Sequence, residues 1–532
     1  MSHPSQIIRS APVEKACAWG CGLLGFLIVV WLTPFGSATT PDSLLYLDTA
    51  RHLSTFQGFS VSDISLHSEA IAKPLTTWPP LYPLTLAPLV FSGIPPVTAA
   101  RWISAILFAA TGLIFFRLAR PAAHSPSLAL PGCLAGLASL ILLLQPILLT
   151  VYTHAWSETL FIPLSLLAFG AWEKFIRRCD QISNPNVFDI ALPCASALLA
   201  LACWTRFIGV SFALAAAIPL LLRRRFIQLA TLLALPILSL IALLIRNLST
   251  AQRFIEIEQA GYEGSLIGNL TATGGVIWTF FLAPHPMIAL GLAGLVALAW
   301  TTSPIRRLPP PIRRSILQPL LWGGAYLVIL VALRTWHPFD PIDVRLISPA
   351  IPFLLLALWR FFLLLPSHPL STLKRQAALA AAAFWLIGSL IAGIALIQRV
   401  HLSWIVRHTP DLPSSPRATY TNFTAPINSA SFAELKSELT RLDRSPILLF
   451  ENPRLLRLHT SLPVKELPAH PLTPAEITTI NRIGPCGFIL LASKQAVHNL
   501  SMTYGGRLDR LQVIPLRQSP DLLVVRLPLP VK

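Results

Sequence analysis

Charge is scarce in this chain: 12% of its 532 residues are Asp, Glu, Lys or Arg, against about a quarter in a soluble domain. Acidic residues are the scarcer sign, 23 against 41 Lys and Arg. With 54% hydrophobic residues, a water-soluble fold could not hide the apolar surface. No internal repeat or metal-ligand spacing occurs, and beyond residue 400 there is no nucleophile motif or Gly-rich phosphate loop. Six of the seven cysteines (Cys17, Cys21, Cys133, Cys179, Cys194 and Cys203) fall in apolar stretches or beside basic loops, leaving Cys486 apart, so no disulfide framework is expected. No aromatic-basic module accompanies the net charge of +18. That charge is therefore read as a topology signal, and nucleic acid is not an expected partner.

What the chain does have is a series of long apolar runs. A helix needs about 20 apolar residues to cross a hydrocarbon core of ~30 Å. Spans are expected near 16–35, 98–119, 128–149, 159–176, 189–205, 207–222, 226–245, 276–300, 315–333, 346–364 and 377–397. The first run has no small-residue cleavage site and is read as a retained helix. Basic residues then recur in every second loop: Arg9 and Lys15; Arg117 and Arg120; Lys174, Arg177 and Arg178; Arg223 to Arg225; Arg306, Arg307, Arg313 and Arg314; Lys374 and Arg375. Lys and Arg mark cytoplasmic loops. The N-terminus, 1–15, is thus expected inside, the membrane domain over 16–399, and the long segment 36–97 outside.

Beyond residue 400 the sequence becomes polar and Pro-rich. Capping boxes begin at Ser431 and Thr473, the latter with Pro474 at the first helical position. Short apolar runs at 446–450, 488–491 and 522–527 suit buried strands. An α/β domain over 400–532, on the outer face, is expected.

The outer segments are where carboxylates collect away from basic residues. The first carries Asp42, Asp48, Asp63 and Glu69, the second His154, Trp156 and Glu158. A carboxylate at the mouth of a span usually faces a polar cavity, so Glu158 is expected to point into the bundle. Asp42, Tyr46 and Ala50 follow at four-residue steps, on one helical face. Spacing alone favours Asp42 as a helix N-cap.

A series of motifs alters that weighting: Asp42 with Tyr46 and Ala50, then Ala50-Arg51-His52-Leu53, Gly58-Phe59, PLTTWPPLYPLTLAPL from Pro74, AARWISA from Ala99, HAWSETLF from His154, TRFIG from Thr205 and DVRLISPAIP from Asp343. In order and spacing it resembles the membrane-embedded GT-C glycosyltransferases that use lipid-phosphate sugars, the protein mannosyltransferases and lipid A aminoarabinose transferases, and is most similar to bacterial members. The resemblance implies an all-α polytopic bundle of about eleven transmembrane helices with a small C-terminal α/β domain. It also implies an inverting transfer in the inner (plasma) membrane, from a polyprenyl-phosphate sugar to a lipid, glycan or protein acceptor on the outer face.

In that family a first-loop Asp is the general base, which maps onto Asp42, and a second-loop carboxylate maps onto Glu158. An acceptor hydroxyl needs such a base as its bond to the sugar forms. The leaving phosphate needs a cation. Arg206 and Arg345 are the candidates, with Lys73 behind them and Tyr46 and Tyr82 as further substrate contacts. Relatives often carry Lys or Arg before the first-loop Pro-Pro, where this chain has Trp78, expected in an interfacial aromatic belt. Glu158 could orient the acceptor, bind a metal or brace its loop. Some members bind a divalent ion nearby, but His67, Glu69, His154 and His285 show no diagnostic spacing. No cofactor is assigned and a divalent metal stays open. The rival readings are a transporter or flippase of lipid-linked sugars, and a non-catalytic assembly protein.

Overall fold

The computed structural model describes residues 5–34, 36–63, 72–120, 131–181, 189–251, 265–278, 310–336, 341–364 and 387–398, isolated helical residues at 376, 380 and 383, and five short strands between 448 and 526. By internal contacts the chain forms two compact units. One comprises Met1–Gly36, Thr76–Tyr82 and Arg101–His401, the other Ser37–Leu75, Pro83–Ala100 and Leu402–Lys532.

The first unit is a helical bundle. Among the described residues, six helices are long and apolar enough to cross a membrane: Pro12–Leu32 within α1 (Ser5–Leu32), α4 (Pro96–Ala119), α7 (Glu158–Gln181), Phe226–Thr250 within α10 (Phe226–Ala251), Arg313–Trp336 within α12 (Pro310–Trp336), and α13 (Val344–Leu363). The chain is a multi-pass membrane protein. The described residues cover only part of the eleven spans expected. The run over 128–149 is two helices, α5 (Pro131–Leu143) and α6 (Pro146–Thr153), bent by 62° and counting at most as a seventh span. Pro146 lacks the N–H that would continue the helix and holds Gln145 in the extended region, at φ −66° and ψ 124°. The runs over 189–205 and 207–222 are shorter helices, α8 (Ala191–Thr205) and, after a 3-10 turn at Phe207–Gly209, α9 (Val210–Leu222). Beyond α11 (Leu266–Val276), most of the expected 276–300 span lies outside the described residues, and of 377–397 a helix at Ile387–Gln398 is described.

Small residues let α1, α4 and α5 approach closely, as between membrane helices generally. A Cβ on Gly25 would lie 3.2 Å from the Phe108 carbonyl oxygen, and one on Gly112 3.2 Å from Leu143. An aromatic cluster fills the centre: Phe212 stacks on Trp322 at 5.5 Å and on Tyr326 at 5.3 Å, with Phe169 and Phe353 edge-on at 5.6 Å.

The two ends of this bundle differ in polarity. At one end Asp180 pairs with Arg314 at 2.5 Å and Arg223 at 3.0 Å, Arg178 with Asp189 at 2.6 Å, and Arg120 with Glu14 at 2.8 Å. Nearby the buried Arg360 grips both oxygens of Glu173, at 2.6 and 2.9 Å, and donates to the carbonyls of Leu118 and Ser315. Arg120, Arg178, Arg223 and Arg314, from four of the expected basic loops, therefore share an end. Glu158 opens α7 while Asp180 sits in its last turn, roughly 33 Å away at 1.5 Å per residue, so Glu158 marks the other end.

The second unit contains α2 (Pro41–Ser54), the hairpin of β1 (Ser60–Ser62) and β2 (Ala72–Pro74), and α3 (Leu81–Phe91) apart from its first two residues. Gly58 supplies the positive φ of +73° that turns α2 into β1. Asp48, buried on α2, accepts from the Ser62 backbone N–H at 2.7 Å and the Ser62 hydroxyl at 3.1 Å, and His52 contacts the hydroxyls of Ser60 and Ser62 at 2.8 and 3.2 Å. Asp48 thus clamps the hairpin to the helix.

In the same unit β3 (Leu448–Phe450), β4 (Val464–Glu466), β5 (Phe488–Leu491), β6 (Gln512–Pro515) and β7 (Leu523–Arg526) form a mixed sheet in the order β4-β3-β5-β7-β6. The β4-β3-β5 pairs are parallel, the β5-β7-β6 pairs antiparallel. Its three interior strands are the three expected from apolar runs. The helices expected from Ser431 and Thr473 lie outside the described residues.

Candidate functional site

Three breaks in helical structure converge at the Glu158 end of the bundle. The first is His154, in extended conformation (φ −107°, ψ 156°) at the C-cap of α6. Four residues on, Glu158 is the first residue of α7, where the unpaired N–H groups of a helix start favour a carboxylate. The second is Arg206, extended at φ −151° and ψ 133°, which ends α8. Gly209 makes that reversal possible, because a Cβ there would stand 2.9 Å from the backbone carbon of Ala202. The third is the start of α13: the Asp343 side chain caps it by accepting from the Leu346 N–H at 3.0 Å, and the Tyr326 hydroxyl donates to the Leu346 carbonyl at 2.8 Å. Both contacts fix Arg345 in the first turn.

Glu158, 1% exposed, receives both guanidinium groups. Arg206 donates to its Oε1, and Arg345 Nε lies 3.5 Å from the same oxygen. Ser157 bridges Arg206 and Glu158 Oε2 at 3.4 Å on each side. Burying an ion is costly unless it is paired and hydrogen-bonded. Two guanidinium groups held together at a buried site are an arrangement suited to an anion.

Aromatic rings line this cluster. Arg206 lies over Trp78 at 5.8 Å and Arg345 over Trp156 at 5.6 Å. Trp78 is thus packed on a site arginine. His154 stacks on Trp156 with centroids 4.2 Å apart and planes 16° from parallel, and its Nδ1–H is held by the Thr150 carbonyl at 2.7 Å. Burial, with Arg345 adding to it, pushes the His154 imidazole down to about 4, so it is neutral at ordinary pH. Tyr82 is fully buried beside Thr159, Ser104 and Glu158.

Of the site residues expected from sequence, Glu158, Arg206, Arg345 and Tyr82 gather here. Asp42, Tyr46 and Lys73 belong to the other unit. There Asp42 is not the N-cap of α2: Thr40 is, its hydroxyl oxygen accepting from the Ser43 N–H at 3.4 Å, with Pro41 at the first helical position. Asp42 comes second in the helix, half-buried, one turn before the buried Tyr46. Lys73 is half-buried in β2, opposite Val61. Tyr326 and Asp343 were missed. The Asp-x-Arg of Asp343 to Arg345 carried a cap signal that could have flagged the latter. His67, Glu69 and His285 lie outside the described residues. Among those described, no three His, Cys, Asp or Glu side chains are placed to hold a metal ion.

The chain has the GT-C fold. The solved structures it resembles include ArnT from Cupriavidus metallidurans in the apo state, with TM-score 0.57 and 14% identity over 97% of this chain and 98% of that one. The undecaprenyl-phosphate-bound form of ArnT matches with TM-score 0.55 and 13% identity over 99% and 98%. The apo oligosaccharyltransferase of Archaeoglobus fulgidus matches with TM-score 0.50 and 11% identity over 89% and 69%. No protein-family model and no curated protein sequence matches the chain.

Proposed function

We propose that the protein is a glycosyltransferase that moves a sugar from a polyprenyl-phosphate donor to a hydroxyl of a lipid, glycan or protein acceptor, on the outer face of the inner membrane and with inversion. The observation that carries this reading is the buried Glu158–Arg206–Arg345 cluster, with its two guanidinium groups at the end of the bundle opposite Asp180. An amphiphile with one phosphate monoester or diester head and a long apolar tail fits such a place, and ArnT has been solved with undecaprenyl phosphate bound.

In the reaction, Asp42 accepts the proton of the acceptor hydroxyl as its oxygen bonds to the anomeric carbon. The bond from that carbon to the phosphate oxygen breaks, and polyprenyl phosphate leaves with the electron pair. Arg206 and Arg345 meet the charge that grows on the leaving phosphate. Glu158, with both oxygens engaged, works as a positioning residue that holds the two guanidinium groups together. Tyr46, Lys73 and Tyr82 are assigned to substrate contact. The N-terminus, 1–15, and the basic loops face the cytoplasm; 400–532 is an outer domain that serves acceptor choice or stability.

Purified protein in liposomes, supplied with polyprenyl-phosphate sugars and extracted envelope lipids or peptides, tests the reading by mass spectrometry of products. Sugar transfer that depends on Arg206 and Arg345 is expected. Movement of intact donor lipid across the bilayer without transfer would contradict it and favour a flippase.

A further inference from the structure

The stretch Thr76–Tyr82 belongs to the helical bundle, although the residues on either side of it belong to the other unit. It carries Trp78 over Arg206 at 5.8 Å and ends at Tyr82, fully buried beside Glu158. Pro79 and Pro80 stiffen this strap, because proline fixes its own φ and confines the residue before it to extended backbone. A shift at Thr76 is therefore passed on to the Trp78 ring.

Thr76 is fastened to α10. Asn247, 1% exposed near the end of that helix, donates from Nδ2 to the Thr76 carbonyl at 3.2 Å, and its Oδ1 accepts from Arg246 at 3.2 Å. With one end of the amide donating and the other accepting, its orientation is fixed. Burial excludes the glycan that the sequence Asn247-Leu248-Ser249 would otherwise invite. The same helix fastens the other half of the stack. Trp204, just before Arg206, donates from Nε1 to the Ser239 carbonyl at 3.3 Å. Helix α10 thus bonds the segment that carries Arg206 at one point, and the strap that carries Trp78 roughly 12 Å further along at 1.5 Å per residue.

We propose that Asn247 is a positioning residue of the phosphate site: it pins the strap 76–82 to α10 and so keeps the Trp78 ring against the Arg206 guanidinium. The indole then limits where that guanidinium can swing. The inference rests on the transferase reading for the ligand, a polyprenyl phosphate, and adds a residue that shapes its site.

Two measurements on the full chain in lipid nanodiscs test it. Hydrogen exchange reads the pin: Asn247→Leu, which keeps the volume and removes the amide, should speed exchange several-fold over 75–86 and leave the first turns of α7 unchanged. Binding of undecaprenyl phosphate reads the consequence. Asn247→Leu should weaken it about tenfold, and Asn247→Gln, which keeps an amide, should recover part of the loss. Trp78→Leu should weaken binding too, and the double variant should be no worse than the poorer single one, because both act through one contact. If Asn247→Leu does not insert, Asn247→Ser, whose hydroxyl is too short to reach Thr76, carries the same expectations. Unchanged exchange over 75–86, unchanged lipid binding in the variant, or additive losses in the double variant would overturn the proposal. Faster exchange over 75–86 in a protein whose wild type never binds the lipid would sink the transferase reading and leave the pin standing.

Discussion

Replacing Glu158 by Gln isolates the buried ion cluster. The amide keeps the size of the side chain and its place at the start of α7, but removes the charge that two arginines, 6% and 7% exposed, share. Removing one partner of a buried ion pair costs about 3–5 kcal/mol, because a desolvated charge is left uncompensated. Unfolding of a membrane protein is often irreversible, so the readout is the rate of heat inactivation in one lipid-detergent mixture, compared across variants. Glu158→Gln should inactivate far faster than wild type. Adding Arg345→Gln should restore part of the loss, since one buried cation disappears, and the two changes will then be strongly non-additive. Undecaprenyl phosphate should protect Glu158→Gln more than it protects wild type, because a phosphate replaces the missing negative charge. Wild-type stability in Glu158→Gln, or strict additivity with Arg345→Gln, would refute the reasoning.

Two other outcomes follow from the geometry. Gly209→Ala should lose phosphate-lipid binding while inserting normally in the membrane, because its methyl would meet the Ala202 backbone at 2.9 Å and shift the turn that presents Arg206; unchanged binding would show that the turn has slack. His154 should make the protein acid-sensitive: the folded imidazole, held down to about 4, stays neutral where the unfolded one, at about 6.5, takes a proton. Stability is complete above pH 6.5 and is lost as pH falls toward 4, by at most about 3 kcal/mol from this group. His154→Gln should flatten that part of the pH profile of inactivation, and an identical profile would contradict it.

How far the sequence predicts this architecture depends on the kind of interaction. Apolar runs of 20 residues announced α1, α4, α7, α10, α12 and α13 because a membrane span is a local property. The bend at Leu144 and Gln145 was also local, with Pro146 as its cause, but the surrounding run was apolar enough to read as one span. In the sheet, β3, β5 and β7 stood out because interior strands are apolar on both faces. The edge strands β4 (Val464-Lys465-Glu466) and β6 (Gln512 to Pro515) did not, since an edge tolerates charge and proline. At the site, Glu158, Arg206 and Arg345 were each visible as a charge at a span end. Their union on one carboxylate was not, because chain folding alone brings such distant positions together. The Arg360–Glu173 pair escaped for the same reason. Thr40 with Pro41 after it was a readable cap signal that the carboxylate of Asp42 drew attention away from.

The central claim is that Asp42 is the base of a sugar transfer, and Asp42→Asn tests it most directly. With Thr40 supplying the cap of α2, the substitution removes a carboxylate without removing the cap, so folding and donor-lipid binding should survive. Asp48→Asn is an unsuitable control, since Asp48 clamps β1 through Ser62; Glu69→Gln, another first-loop carboxylate, replaces it. Initial rates of transfer from a polyprenyl-phosphate sugar in liposomes should fall about 10²–10⁴-fold in Asp42→Asn, the usual contribution of general-base catalysis, and stay near wild type in Glu69→Gln. Near-normal turnover in Asp42→Asn, with donor binding intact, would contradict the account.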